Sequence, residues 1–419
     1  MRKNENKINN YSQNGFVVLM VTFFSLIIML SIALSTSFVI LYRQQGSDNM
    51  VKSAQAYYAA EAGIEDALAR LKKDPLLSHI NYPLIVNGTT VDVDIPGVVG
   101  GSRAITSQAD NNGIVKKTQA TYSIDGTSTS FYYGAQAGAG GIEMSNGSII
   151  MGNVFSGGNI SGSGKINNNV VVSGNGHSIN NVEIKGDALV YSCLSGARVD
   201  GNLIYVTGGT HTCAVGGART EQSNEILEQP MPIPQSQIDG WKNDATTGGV
   251  FSGNKTISGS QTLGPIKITG NLTVSNGATL IITGVVYVVG NISISNNSAV
   301  KLSSSYGSLG GVLLSDGNIT VSNNITFSGS GQIGSYVLTL STSTSSSAIS
   351  ISNNSTGAVV FYTTAGTLNI ANNVSVVEAT GYKIKMANNS KIQYSSGIVN
   401  IYFSSGPGGG WRVSSWQEK

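Results

Sequence analysis

The sequence predicts an α+β base that gives way to an all-β head: a long N-terminal helix with a small sheet, followed by a right-handed parallel β-helix (a solenoid). Three observations carry that reading. Residues Phe16 to Tyr42 contain no charge, residues Lys52 to Leu71 hold an apolar stripe at helical spacing, and an asparagine-centred repeat recurs through the last third of the chain.

The uncharged run lies between a basic leader (Arg2, Lys3, Lys7) and Arg43. At about 27 residues it can cross a bilayer as a helix. A cleavable secretory signal has a shorter apolar core that ends at small residues. Here the polar-to-apolar switch falls on Gly15-Phe16, at the front of the run, so a cut there leaves the apolar helix on the protein. Farther on, Tyr57, Ala60, Ile64, Ala67, Leu68 and Leu71 recur at three- and four-residue steps and share a face. Asp66 and Arg70 are spaced for an i, i+4 ion pair, Lys72 and Lys73 suit the negative end of the macrodipole, and Pro75 stops the helix. Gly46 and Gly63 weaken it by about 1 kcal/mol each relative to alanine. From Phe16 to Lys73 one helix would measure about 87 Å at 1.5 Å per residue, so only its first part can lie in lipid.

The leader site, with its cut after Gly15 and a new N-terminal Phe16, resembles that of type IV prepilins. The block Lys52-Ser-Ala-Gln-Ala-Tyr-Tyr-Ala-Ala-Glu-Ala-Gly-Ile-Glu-Asp-Ala-Leu-Ala-Arg-Leu71 resembles the second half of the long helix in PilX-like minor pilins, and residues 12 to 73 carry the whole likeness. The resemblance implies cleavage by a prepilin peptidase at Gly15-Phe16, N-methylation of Phe16 and assembly with other pilins. It also marks a departure. Major pilins carry a glutamate five residues into the mature chain, which neutralises a neighbouring subunit's amine; here that position is Met20. The family's inference from such a loss is a tip or initiating position, because an unpaired charge in an apolar bundle is costly.

Composition narrows the remainder. With 419 residues, 11% charged and a net charge of +2, the chain gives no case for a nucleic-acid partner. Forty per cent apolar residues is enough for a sizeable core despite 53 glycines. Cys193 and Cys213 both fall outside the membrane, where a disulfide is the leading reading; closing a loop of about 20 residues contributes roughly 3 kcal/mol. The alternatives are two buried thiols or a metal site using His211, but no second ligand pair appears at the spacing a zinc site needs.

The expected organisation is a leader at 1–15, the transmembrane helix at 16–73, a small β domain at 74–132, a parallel β-helix at 133–410 with an excursion near 219–249, and a C-terminal cap at 411–419. In the small domain Leu84-Ile-Val, Asn87-Gly88, Val91, Val93 and Ile95 read as a hairpin, and Lys116 to Ile124 as another strand. Beyond Tyr133 the unit apolar-x-apolar-[Ser/Ala]-Asn-[Asn/Gly] appears at Leu272–Gly277, Ile292–Asn297, Ile319–Asn324, Ile349–Asn354, Leu368–Asn373 and Ile384–Asn389. Apolar phase is kept across each bend: Val274 is followed by Ala278, Leu280 and Ile282, and Ile370 by Val374 and Val376. A β-sandwich with Asn-Gly turns would not need that single phase. Asn276, Asn296, Asn323, Asn353, Asn372 and Asn388 share the inward parity and are expected to form an asparagine ladder. Pro230 to Pro234 reads as extended and Gln235 to Ala245, with Ile238 and Trp241, as a short amphipathic segment lying on a face of the solenoid. Gly406 to Trp416 is expected to cap the last coil.

Parallel β-helices include polysaccharide lyases and hydrolases, and glycoside hydrolysis needs paired carboxylates. The best such constellation is Asp187 and Asp200, one candidate coil apart, with Lys185 and Arg198 beside them; the plain reading is turn carboxylates on a solvated face. Asp316 and Glu378, within the clearest repeats, are not repeat-related. No catalytic triad elbow, Walker loop or His-Glu-x-x-His is present, so the expectation is no enzyme, no cofactor and no metal. Triplets such as Asn291-Ile-Ser and Asn318-Ile-Thr follow from the repeat. The sequence therefore points to a low-copy or tip pilin-like subunit. It would cross the membrane once with its N-terminus cytoplasmic, reach the cell surface or pilus, and present its head for adhesion (to a surface glycan, for instance) or assembly. The alternatives are a surface-anchored carbohydrate-active enzyme and a membrane-anchored adhesin outside any pilus.

Overall fold

The computed structural model describes residues 13–73, 77, 79–97, 102–124, 126–129, 131–145, 147–395, 401–404 and 411–419. The basic leader, Pro75 and the 406–410 glycine run lie outside the described residues. Helix α1 spans Gln13–Lys73 without interruption. Every residue from Phe16 to Met50 is exposed, whereas Ala56, Ala59, Ala60, Ile64, Ala67 and Leu71 are buried. Those alanines let the helix sit close against an antiparallel sheet of β1 (Ile80–Val86), β2 (Thr89–Ile95), β3 (Ser102–Asn111) and β4 (Ile114–Ile124), which contributes Val91, Val93, Ile95, Ile105 and Ala120. Tyr57 and Leu68, expected on the buried face, are only half-buried at its margin.

Gly63 marks the closest approach of helix and sheet. A Cβ there would lie 2.2 Å from Ser107 Oγ and 2.9 Å from methyls of both Val91 and Val93. Its cost in helix propensity is thus offset by packing that no larger residue permits. The Asn87-Gly88 turn closes β1 on β2 with both residues at positive φ (48° and 82°), which matches the right-handed twist of the paired strands. Asn112-Gly113 repeats the device between β3 and β4.

The C-terminus does not cap the solenoid. Trp411–Glu418 returns to the base and pairs antiparallel with β4, from Thr118↔Glu418 to Ile124↔Trp411. Without it β4 would be an open edge with a row of unpaired backbone groups. Lys116 Nζ and Glu418 Oε1 meet at 2.6 Å across the new pair. The solenoid is therefore an insertion into the base domain, entered and left through the antiparallel pair Gly126–Thr129 and Ile401–Ser404.

The head is a parallel solenoid of three-strand coils, but its coils are not in chain order. One arm, Ala135 to Gln222, starts in the middle and runs outward. The chain then passes back along the outside, and a second arm, Val250 to Gln393, starts at the opposite end and returns to the middle. There Glu378–Met386 pairs in parallel with Ala135–Met144, and Lys391–Gln393 with Ile149–Met151, so the last coil stacks on the first. The expected excursion begins later than 219, because Arg219–Gln222 still pairs with Leu203–Val206.

That returning segment explains a feature of the second arm. Strands Gly311–Ser315, Val337–Ser341 and Val359–Thr363 are buried on both sides, as strands covered on two faces must be. Their outward residues Val312, Leu314, Leu338, Leu340, Val360 and Tyr362 meet Ile233 and helix α2 (Gln235–Gly248), which presents Ile238, Trp241 and Ala245. Phe131, just beyond the entry strand, and Phe403 of the exit strand join the same outer core, their rings edge-to-face at 6.1 Å. We call this the covered face.

Candidate functional site

The outer half of α1 is a long apolar surface with no charge and no protein cover. Phe38 and Tyr42 are 72% and 79% exposed, and Met20 lies on the same stretch with no acidic neighbour on the helix. Its hydroxyls are satisfied internally: Thr22, Ser25, Ser31, Ser35, Thr36 and Ser37 each donate to a carbonyl three or four residues earlier. A helix so arranged offers lipid no unmet polar group. Gly15 and Phe16 lie within this helix. At its far end Asp66 accepts from Arg70 and from Tyr82 of β1, both at 2.7 Å, tying helix to sheet.

The second candidate surface is the solenoid face formed by Leu272–Val274, Ile292–Ser295, Ile319–Ser322, Ile349–Ser352 and Thr367–Ile370, which we call the ladder face. Its far corner is built from the repeat asparagines. Asn323 donates to Asn296 (3.0 Å), Asn353 to Asn323 (2.8 Å), Asn372 to Asn353 (3.0 Å) and Asn388 to Asn372 (2.7 Å). The ladder is on the outside, not inward as parity predicts. From Asn296-Asn297 onward, each bend has two consecutive residues near φ +60°, and that left-handed pair swings both side chains outward while returning the next strand to inward phase. A parallel ladder follows, with Asn324 donating to Asn297 and Asn354 to Asn324. Asn276, at φ 59°, occupies the same corner one coil earlier.

The near corner carries a ladder that the sequence pattern did not reveal. Asn254, Asn271 and Asn291 each turn Oδ1 onto the backbone N–H of Asn271, Asn291 and Asn318 in the next coil, all at 2.8 Å. The first arm repeats it with Asn169, Asp187 and Asn202. The signal was available in the recurring Gly-Asn pairs at 253, 270, 290 and 317.

This corner gives Asp187 a structural role, because its Oδ1 accepts from the backbone N–H of Asn202 at 2.7 Å. Asp200 belongs to the third face, where it accepts from Lys185 and from Arg198, both at 2.6 Å. Those hydrogen bonds, Lys185's first, hold its carboxyl down at about 2. Both carboxylates of the best catalytic candidate are thus taken up by protein donors. Asp316 likewise binds Lys242, Tyr287 and Thr342, pinning α2 to the covered face. Glu378 is fully buried at the junction of the two arms, where burial raises its pKa well above the usual carboxylate range.

Cys193 and Cys213 are joined in a disulfide in the last coils of the first arm, with Cα atoms 5.4 Å apart. His211 stacks on Tyr205 with ring centroids 4.1 Å apart. Among the described residues no group of three or more His, Cys, Asp or Glu side chains is placed to hold a metal.

No family model matches the chain, and no curated protein matches it. Among solved structures it is similar to the competence-associated pilin ComZ from Thermus thermophilus, at 12% identity and a TM-score of 0.28, over 88% of this chain and 97% of that one. It is also similar to an ice binding protein from an Antarctic bacterium of the Flavobacteriaceae, at 10% identity and a TM-score of 0.13, over 63% of this chain and 81% of that one.

Proposed function

We propose that the protein is a minor type IV pilin, cut between Gly15 and Phe16 and assembled at low copy or at a fibre tip, with the solenoid as a presented, non-catalytic head. The observation that carries this reading is the division of α1. Its first half is uncovered and polar-satisfied, as suits lipid or a bundle of like helices, and its second half is buried under the base sheet. Met20 supports the tip position, since a subunit without a carboxylate there gains less from docking beneath another subunit's amine. The head supports it too. The 286 residues between β4 and the C-terminal strand are a large volume to repeat along a fibre lattice.

Mass spectrometry of the N-terminal peptide from membrane-extracted protein tests the route. A methylated Phe16 is the expected result; an intact Met1, or a start beyond Tyr42, refutes it. Immunogold labelling along isolated fibres tests the position, with label confined to tips expected. Label spread along the shaft, unchanged by Met20→Glu, removes the tip assignment.

A further inference from the structure

The ladder face combines two properties. Its central outward positions, Thr273, Ser293, Thr320 and Ser350, lie in unbroken register on successive coils and are all hydroxyls. No ionisable residue occurs in their strands or in the asparagine corners that follow them, from Leu272 to Gly277 through Ile349 to Asn354. Coils repeat at about 4.8 Å, so the same donor-acceptor set recurs along the axis. Asn323, Asn353 and Asn372 each spend one N–H and one carbonyl lone pair on their neighbours, and an amide has a second of each.

The column continues in register through Asn369, Lys385, Glu143 and Ser161, across the junction of the arms, and there the face dips. Where the earlier coils carry Ser295, Ser322 and Ser352, the next two carry Ala371 and Ala387 before serine returns at Ser145, and in the adjoining inward column Gly162 stands in register with Met144 and has no side chain of its own. The result is an open hollow of about 440 Å³, within the size range of small-ligand sites. Buried Met144 and Met386 and the side of Ile370 give it an apolar floor. Its rim holds Glu143, which accepts from Lys383 and, at 3.1 Å, from Lys385. The Lys383 bond first, then the Lys385 bond, keeps Glu143 ionised.

We propose that this hollow and the hydroxyl-amide column leading from it form a binding groove for an uncharged polysaccharide lying along the solenoid axis. This deepens the presentational reading of the head and rests on it. A pyranose has an apolar C–H face for the floor and hydroxyls that both donate and accept. Glu143 offers acceptors, Lys385 donors and Asn369 both. A polyanion would meet cations already paired to Glu143 and then a column with no charge at all. The register of the hydroxyl-bearing coils favours a repeating ligand, since each further sugar unit along Thr273, Ser293, Thr320 and Ser350 meets another hydroxyl.

The test uses the full-length protein in detergent micelles, immobilised and titrated with a soluble β-glucan, an N-acetylated chito-oligosaccharide and polygalacturonate. At least one neutral polymer should bind, at least tenfold tighter than its own disaccharide. Ala387→Phe, which fills the hollow, and Lys385→Ala, on the exposed rim, should each weaken it at least tenfold, while Asp200→Asn on the third face leaves it unchanged. Thermal melts check that each variant is folded. The inference is overturned if neither neutral polymer binds, if polygalacturonate binds more tightly, or if both hollow variants bind as the parent does. The N-terminal residue of the same preparation reports on the pilus route separately: a chain beginning at Met1 that still binds glycan keeps the groove and loses the pilin.

Discussion

Replacing Asn323 separates the two roles that each ladder asparagine combines. Asn323 donates to Asn296 and accepts from Asn353, and its backbone sits at φ 68°. Losing two exposed neutral hydrogen bonds costs about 1 kcal/mol in all, at the low end of the usual range. Holding alanine in the left-handed region costs roughly 1–2 kcal/mol more, a penalty glycine escapes. Asn323→Ala should therefore destabilise the second arm by about 2–3 kcal/mol and Asn323→Gly by about 1 kcal/mol. The shared bond supplies a second check. Asn323→Gly with Asn353→Gly removes three ladder bonds where the single changes remove two each, so the pair should fall short of additivity by about 0.5 kcal/mol. Urea unfolding followed by amide hydrogen exchange over residues 319–354 reads both quantities. Equal losses for alanine and glycine would refute the backbone account, and full additivity would refute the ladder.

Four further outcomes follow from the same physics. Replacing Cys193 and Cys213 together by serine should cost about 3 kcal/mol from the 20-residue separation, seen as early loss of exchange protection in Leu203–Gln222; unchanged protection there would contradict it. Glu378 is held protonated when folded but ionises above about 4.5 when unfolded, so wild-type stability should decline as pH rises past that point. Glu378→Gln should flatten that slope and leave the variant more stable than the parent at pH 8; a parallel pH profile would show the buried acid is not responsible. Gly63→Ala should gain about 1 kcal/mol in helix propensity but lose about 1–3 kcal/mol to overpacking against Ser107, Val91 and Val93, and a more stable variant would refute the close approach. Asp316 is partly buried, which opposes ionisation, yet hydrogen bonds led by Lys242 hold its carboxyl below 3.8. Its hold on α2 should thus persist at neutral pH and fail as pH drops below that value, with Asp316→Ala exposing Trp241 fluorescence to quencher at every pH.

Much of the fold was legible because it is written in local pattern. The uncharged run, the stripe from Ala60 to Leu71 and the Asn87-Gly88 hairpin each report on neighbours in sequence. The repeat gave the strands of the second arm, since inward phase at Val274, Leu280 and Ile282 is a local property. What failed was whatever depends on distance along the chain. A coil's sequence says that it stacks on another coil but not on which one, so the pairing of Ile384 with Ile142 left no trace. The C-terminal strand meets Thr118 across 300 residues and reads equally well as a cap. The outward turn of Asn296 and its fellows failed for another reason: counting by twos assumes extended backbone, and two left-handed residues break that count while restoring it for the strand beyond. For the candidate site, the span, Met20 and the cysteine pair were visible in advance. The hollow was not, because its lining is shared between the arms, with Met144 and Gly162 from one and Ala371 and Ala387 from the other.

Because the head leaves the base from β4 and its chain comes home as the strand beside β4, the two connections answer differently to a protease. A cut after the head leaves it covalently joined to α1 through β4, whereas a cut before it leaves only the eight-residue strand annealed to the base. Shedding the head from a cell by one cleavage would also require that strand to peel away.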